Sequence, residues 1–188
     1  MQGLSPYRRA TYRYTPLLAW LLQGNVYITE VFGKVMFSAC DILAAYIIYR
    51  LVKSQPGCSK ETTLMCARLW LFNPLTLTVS TRGNAESIMA VLVLLTLLLL
   101  SADSVLSNML GAVIYGISVH TKIYPATYAL AIYVYLNGRC TEKQIANKTA
   151  KVHWNMSMRC LFPTLRSINF AFVSFLAFFC LTATCYRW

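Results

Sequence analysis

The chain has 188 residues, of which 57% are hydrophobic and only 12% are charged. This balance lies outside the usual range of a soluble globular domain and indicates a membrane protein. Lysine and arginine outnumber aspartate and glutamate by 17 to 6, which gives a net charge of +11. In a membrane bundle that excess favours the bilayer's anionic head groups and lipid-linked substrates as partners, and the hydrophobicity argues against nucleic acid.

Apolar runs separated by helix-stopping residues predict an all-α fold, a polytopic membrane bundle of about six helices. The predicted helices cover residues 31–51, 64–79, 85–101, 105–119, 123–137 and 167–186. Several of them are shorter than the roughly 20 residues that cross a bilayer. The chain then divides into an arm (1–29), a five-helix region (30–137), a basic loop (138–166) and a last helix (167–186).

Alternating crossings would place the arm, the 80–86 turn, the 120–122 turn and the C-terminus on one side of the membrane. Seven of the lysines and arginines flank that side and ten flank the other. Because cytosolic loops carry the excess of positive charge, we expect the 138–166 loop in the cytosol and the arm in the lumen. The polar stretches at 7–14, 80–87 and 120–124 would then meet on the lumenal side.

The arm carries basic and aromatic residues between Pro6 and Pro16. Arginine binds phosphate through paired hydrogen bonds, and a tyrosine ring stacks on a sugar. Arg8, Arg9, Arg13 and Tyr14 are therefore candidate substrate-binding residues. An interfacial belt of tyrosine and arginine accounts equally well for the composition of the arm.

The stretch STRGNAES at 80–87 places Arg82, Asn84 and Glu86 between two apolar runs. Asn84 is a suitable N-cap for the following helix, and a carboxylate in a first helical turn is favourable. Arg82 and Glu86 would alternatively pair at the membrane surface, where Glu86 could accept the proton of a sugar hydroxyl.

The stretch HTKIYP at 120–125 supplies His120, Lys122 and Tyr124, with Pro125 suited to a first helical turn. A histidine or lysine in such a place equally serves structure, since lysine snorkels to the interface. Asp41 lies inside the first predicted helix, where we expect it to make a packing contact. The seven cysteines show no spacing typical of a metal site.

Three motifs together carry a resemblance: SPYRRATYRYTPLLAW at 5–20, NPLTLTVSTRGNAES at 73–87 and HTKIYP at 120–125. In this order they resemble the catalytic subunits of the eukaryotic glycosylphosphatidylinositol (GPI) mannosyltransferase I family. The resemblance implies a GT-C-like membrane glycosyltransferase of the endoplasmic reticulum that needs no cofactor and is stabilised by a small single-span subunit. Its reaction would transfer the first mannose, α1,4, from dolichol-phosphate-mannose to glucosaminyl-phosphatidylinositol or its inositol-acylated form, by inversion with a lumenal acidic base.

By this resemblance Glu86 is the candidate catalytic residue, and the substrate-binding candidates are Arg8, Arg9, Arg13, Tyr14, Arg82, Asn84, His120, Lys122 and Tyr124. The family's acidic DxD motif precedes the SPYRR-type segment, whereas Ser5 here lies four residues after Met1. We therefore expect a truncated form that is catalytically incomplete by itself. A membrane transporter and a non-catalytic scaffold of the same bundle are the alternatives.

Overall fold

The computed structural model describes residues 15–102, 104–146 and 162–186, without the side chains of 140–146. Every regular element in those ranges is helical, which confirms the all-α class. The elements are α1 (Pro16–Leu21), α2 (Gly24–Tyr27), α3 (Phe32–Lys53), α4 (Lys60–Leu71), α5 (Pro74–Thr81), α6 (Glu86–Ser101), α7 (Val105–Thr121), a 3-10 helix (Tyr124–Tyr128), α8 (Ala129–Ala146) and α9 (Leu165–Tyr186).

Two helices, α3 and α9, are long and apolar enough to cross a membrane, with 22 residues each. Helices α5 and α6 together make a third possible crossing, but their axes meet at 118°. Helix α7 is apolar and shorter. The part of the chain that the structure describes therefore has the character of a membrane bundle.

The helix predicted at 64–79 is two helices, because the chain breaks at Asn73 and Pro74. Proline has no backbone N–H and disfavours helical geometry in the residue before it, so α4 ends before this pair. The Asn73 side chain accepts a hydrogen bond from the Leu75 N–H at 2.9 Å and caps α5, whose first residue is Pro74.

The helix predicted to end at 137 continues in α8 as far as Ala146. Its polar residues suggested a loop, but tertiary contacts satisfy two of them, Asn137 and Arg139. Asn137 is fully buried and accepts a hydrogen bond from the Thr164 hydroxyl at 2.8 Å. The Arg139 guanidinium donates to the carbonyls of Leu100 and Ser101 at 2.8 and 3.1 Å and lies over the Tyr135 ring.

Helix α7 lies in the middle of the bundle and packs between α6 and α9, while α3 packs on α4 and α6. Gly116 marks the closest approach of α7 to α9, because a Cβ there would overlap the Ser174 carbonyl oxygen. A separate cluster of Leu18, Phe37 and Ala85 fastens α1 to the starts of α3 and α6. The end of the arm is thereby held beside the 80–86 turn.

Candidate functional site

The site begins with the tight turn that joins α5 to α6. Gly83 has a positive φ of 82°, and its N–H donates to the Ser80 carbonyl at 2.9 Å. The Asn84 N–H donates to the Val79 carbonyl at 3.2 Å. These two bonds form a Schellman motif, in which glycine accepts the left-handed conformation without steric cost. The turn places Glu86 at the first residue of α6.

The prediction that Asn84 is the N-cap of α6 is wrong. Ala85 occupies the N-cap position, and no side chain caps the helix. The physical reason is the Schellman motif, since the backbone of Asn84 closes the turn after α5 instead of opening the next helix. The Asn84 side chain is exposed beside the site.

The Glu86 carboxylate forms an ion pair with the Lys122 ammonium, which is 36 positions away in sequence. The side chain of Lys122 is 18% exposed and that of Glu86 is 40% exposed, so solvent and substrate can still reach the carboxylate. Arg82, the alternative partner from the sequence, is exposed and makes no ion pair with any residue that the structure describes. This ion pair joins the 80–87 and 120–124 stretches, whereas the 7–14 stretch lies outside the described residues and the lumenal placement stays a prediction.

Tyr124 is the second group at this carboxylate. The pKa of the Tyr124 phenol is raised to about 12. Its causes, the largest first, are partial burial, the negative charge of Glu86, the neighbouring Tyr128 and a hydrogen bond with Glu86. The phenol therefore keeps its proton at physiological pH and donates a hydrogen bond to the carboxylate. The Tyr115 hydroxyl donates to the Pro125 carbonyl at 3.0 Å and holds the 3-10 helix on α7.

His120 is directed towards α9 instead of towards Glu86. Its Nδ1 lies 3.2 Å from the Thr182 hydroxyl, and its Nε2 lies 3.6 Å from the Cys185 sulfur. The ring also meets Phe178 edge to face, with 5.9 Å between centroids. His120 thus joins the ends of α7 and α9. The sequence did not assign Phe178, Thr182 and Cys185 to the site, because no local pattern links them to His120.

Lys34 is a further cation that the sequence did not assign to the site. It lies in the first turn of α3, and its Cγ is 3.9 Å from the place that a Cβ on Gly83 would occupy. Lys34 is exposed and lies beside the turn that carries Arg82, which is also exposed. The four arm candidates, Arg8, Arg9, Arg13 and Tyr14, lie outside the described residues.

Asp41 is 5% exposed within α3, and neither of its carboxylate oxygens has a hydrogen-bond partner among the described residues. The packing contact expected from the sequence therefore has no polar partner in that part of the chain.

The arrangement combines one accessible carboxylate with several cations. A carboxylate held by an ammonium and a phenol keeps a fixed orientation, and a carboxylate within hydrogen-bond reach of a hydroxyl can act as a general base. Lysine and arginine around it attract phosphate. Such an arrangement can hold an anionic group beside a hydroxyl.

Comparison with known proteins identifies a family and several relatives of the chain. The family model described as Mannosyltransferase (PIG-M) matches residues 79–188. The chain is similar to the zebrafish "GPI alpha-1,4-mannosyltransferase I, catalytic subunit", at 53% identity over 70% of this chain and 32% of the relative. It is also similar to "GPI mannosyltransferase 1" of Dictyostelium discoideum, at 44% identity over 73% of this chain and 30% of the relative.

The corresponding protein of Saccharomyces cerevisiae, "GPI mannosyltransferase 1", is 43% identical over 73% of this chain and 34% of the relative. The chain therefore spans about a third of the length of the curated relatives that it matches. No solved structure matches the chain. The matched family region contains the turn, Glu86, Lys122 and Tyr124 together.

Proposed function

Because the chain belongs to the Mannosyltransferase (PIG-M) family, we propose that it takes part in adding the first mannose of the GPI anchor. The donor is dolichol-phosphate-mannose, the acceptor is glucosaminyl-phosphatidylinositol or its inositol-acylated form, and the new linkage is α1,4. The reaction takes place in the endoplasmic reticulum membrane, with a small single-span subunit as partner. The observation that carries the proposal is the Glu86 carboxylate between Lys122 and Tyr124.

In the proposed reaction the acceptor hydroxyl oxygen attacks the anomeric carbon of the mannose. The bond from that carbon to the phosphate oxygen breaks, and dolichyl phosphate leaves with the electron pair. Glu86 takes the proton of the attacking hydroxyl, while Tyr124 and Lys122 hold the carboxylate in place. Lys34 and Arg82, the exposed cations at the 80–86 turn, favour the negative charge of the departing phosphate.

A matched pair of substitutions tests the role of Glu86. Glu86 and Glu61 both lie in the first turn of a helix, α6 and α4 respectively, so either change to glutamine loses a similar helix-dipole term of roughly 0.3–1 kcal/mol. Only Glu86 has the Lys122 partner. Removing a positioned general base costs roughly 10²–10⁴ in rate, so we expect Glu86→Gln to lose that factor and Glu61→Gln to keep normal transfer.

Transfer of labelled mannose would be measured in membranes of cells that lack their own enzyme. One set of cells expresses this chain, and a second expresses the zebrafish relative with its matched segment replaced by that of this chain. Protein abundance is measured in parallel. Equal transfer by the Glu86→Gln and Glu61→Gln proteins at equal abundance would refute the role of Glu86, and no transfer by either unsubstituted protein would refute the proposed function.

A further inference from the structure

His120 contacts α9 through both of its ring nitrogens. Its Nδ1 lies 3.2 Å from the Thr182 hydroxyl oxygen, and its Nε2 lies 3.6 Å from the Cys185 sulfur. The ring also packs edge to face against Phe178, at an interplanar angle of 70°. Both nitrogens are therefore occupied by α9, although the sequence made His120 a candidate for binding substrate.

The Thr182 hydroxyl decides which of the two nitrogens carries the proton. A threonine hydroxyl has one proton to donate, and that of Thr182 goes to the Phe178 carbonyl at 2.8 Å. Towards His120 the hydroxyl can therefore only accept, so Nδ1 is the protonated nitrogen of the neutral ring. Nε2 is then unprotonated and accepts a hydrogen bond from the Cys185 thiol.

The partners of His120 belong to one face of α9, the face that packs on α7. Four residues share this face at intervals of four, four and three positions: Ser174, Phe178, Thr182 and Cys185. The first of them, Ser174, approaches Gly116, and the other three contact His120, four positions further along α7. His120 therefore forms the end of the α7–α9 interface, in the last turn of α7.

The last turn of α7 leads directly into the segment that holds Glu86. Lys122 is the first residue after the helix, two positions past His120. Beyond it the Pro125 carbonyl accepts a hydrogen bond from the Tyr115 hydroxyl at 3.0 Å, which fastens the segment to α7. The segment is therefore held at both ends, by α9 through His120 and by α7 through Tyr115.

We propose that His120 is a positioning residue, which fixes the end of α7 to α9 and thereby holds Lys122 in its ion pair with Glu86. We call the contact of His120 with Thr182 and Cys185 the His120 clamp. Its effect on the ion pair concerns the structure alone, whereas its effect on mannosyl transfer rests on the proposed function.

Nitrogen-15 NMR of the 188-residue chain in nanodiscs tests the clamp at the imidazole itself. The chain has two histidines, so His153→Gln leaves His120 as the only labelled one. At neutral pH we expect a proton on Nδ1 and none on Nε2, because Thr182 accepts and Cys185 donates. A proton on Nε2 would overturn the proposal.

Carbodiimide crosslinking in the same nanodiscs measures the ion pair directly. The reagent joins a carboxylate to a neighbouring amine, and mass spectrometry quantifies the amide between Glu86 and Lys122. His120→Phe and Thr182→Val should each lower its yield at least about twofold. A net hydrogen bond of about 0.5–1.5 kcal/mol shifts an equilibrium by roughly 2- to 12-fold.

Thr184→Val is the matched control for Thr182→Val. Thr184 is also an exposed threonine of α9, but its hydroxyl donates to carbonyls of its own helix and makes no hydrogen bond with His120. The crosslink yield should be unchanged in this variant. Yields that stayed unchanged in Thr182→Val and His120→Phe as well would overturn the proposal.

Mannosyl transfer by cells that express this chain separates positioning from substrate binding. His120→Phe and Thr182→Val should lower kcat in step with the crosslink yield, with a change in the KM for the acceptor below about twofold. The double variant should equal His120→Phe alone, because both changes remove the same contact. A raised KM at normal kcat in His120→Phe, with no effect of Thr182→Val, would show that His120 binds substrate and would overturn the proposal.

Crosslinking requires no transfer, so the clamp and the proposed function can fail separately. Unchanged yields with an intact effect of Glu86→Gln on transfer would reject the clamp and retain the function. Lowered yields in both clamp variants, with no effect of Glu86→Gln on transfer, would support the clamp in a protein whose proposed reaction is wrong.

Discussion

The contact of α7 with α9 at Gly116 predicts a large effect of one methyl group. A Cβ at Gly116 would overlap the Ser174 carbonyl oxygen and lie 2.9 Å from the Ala177 Cβ. Gly111 on the same helix is the control, because a Cβ there would lie 3.4 Å from the Leu99 Cβ, an ordinary contact. Gly116→Ala should therefore destabilise the protein, and Gly111→Ala should not.

The magnitude follows from the difference between the two variants. Both gain about 0.8–1.0 kcal/mol of helix propensity, which cancels in the comparison. What remains is the cost of forcing the backbone of α9 away from α7, for which overpacking gives about 1–3 kcal/mol. At roughly 2–4 °C per kcal/mol for a chain of this size, Gly116→Ala should melt roughly 2–12 °C below Gly111→Ala.

The measurement is the melting temperature of each purified variant in the same detergent, followed by circular dichroism at the helix band. The melting temperature of Gly111→Ala should equal that of the unsubstituted chain or lie slightly above it. If the two alanine variants melted at the same temperature, the backbone contact between Gly116 and Ser174 would not describe how α7 and α9 pack.

Two further predictions concern the opposite end of the bundle. Arg139→Gln should destabilise the chain by about 1.5–3 kcal/mol, because it removes charged hydrogen bonds to the last carbonyls of α6. The control is Arg50→Gln at an exposed position, which should change the stability by about 0.5 kcal/mol or less in the same melting assay. The glycosylation sequons at Asn147 and Asn155 lie outside the described residues, in the 138–166 segment that we expect in the cytosol, and should stay unglycosylated after translation into microsomes. An endoglycosidase-sensitive glycan on either would reverse the predicted sidedness.

Much of the fold could be predicted from the sequence because apolar length and helix-stopping residues are local signals. The starts of α3 and α6 lie within one residue of their predicted positions. The α4–α5 break was missed because the flanking residues are apolar, although Asn73 and Pro74 are a helix-stop signal in themselves. The continuation of α8 could not be predicted, since Asn137 and Arg139 are satisfied by residues that are distant in sequence.

The candidate site could be predicted in part. Counting membrane crossings brought the 80–87 and 120–124 stretches together, and the structure places Glu86 against Lys122 and Tyr124. The ion-pair partner of Glu86 could not be predicted, because Arg82 is nearer to it in sequence. Lys122 reaches Glu86 only because of the direction in which α7 runs through the bundle. The orientation of His120 depends on α9, which lies 62 positions further along the chain at Thr182.

The close approach at Gly116 has a consequence for the order in which the protein is assembled. Helices α6 and α7 are adjacent in the chain and can pair as soon as both have left the ribosome, with Gly111 against Leu99. Ser174 is synthesised 58 residues after Gly116, so the contact between Gly116 and the α9 backbone can form only after most of the bundle has been made. The interface of α7 with α9 is therefore completed after both partners of the Glu86–Lys122 ion pair have been synthesised.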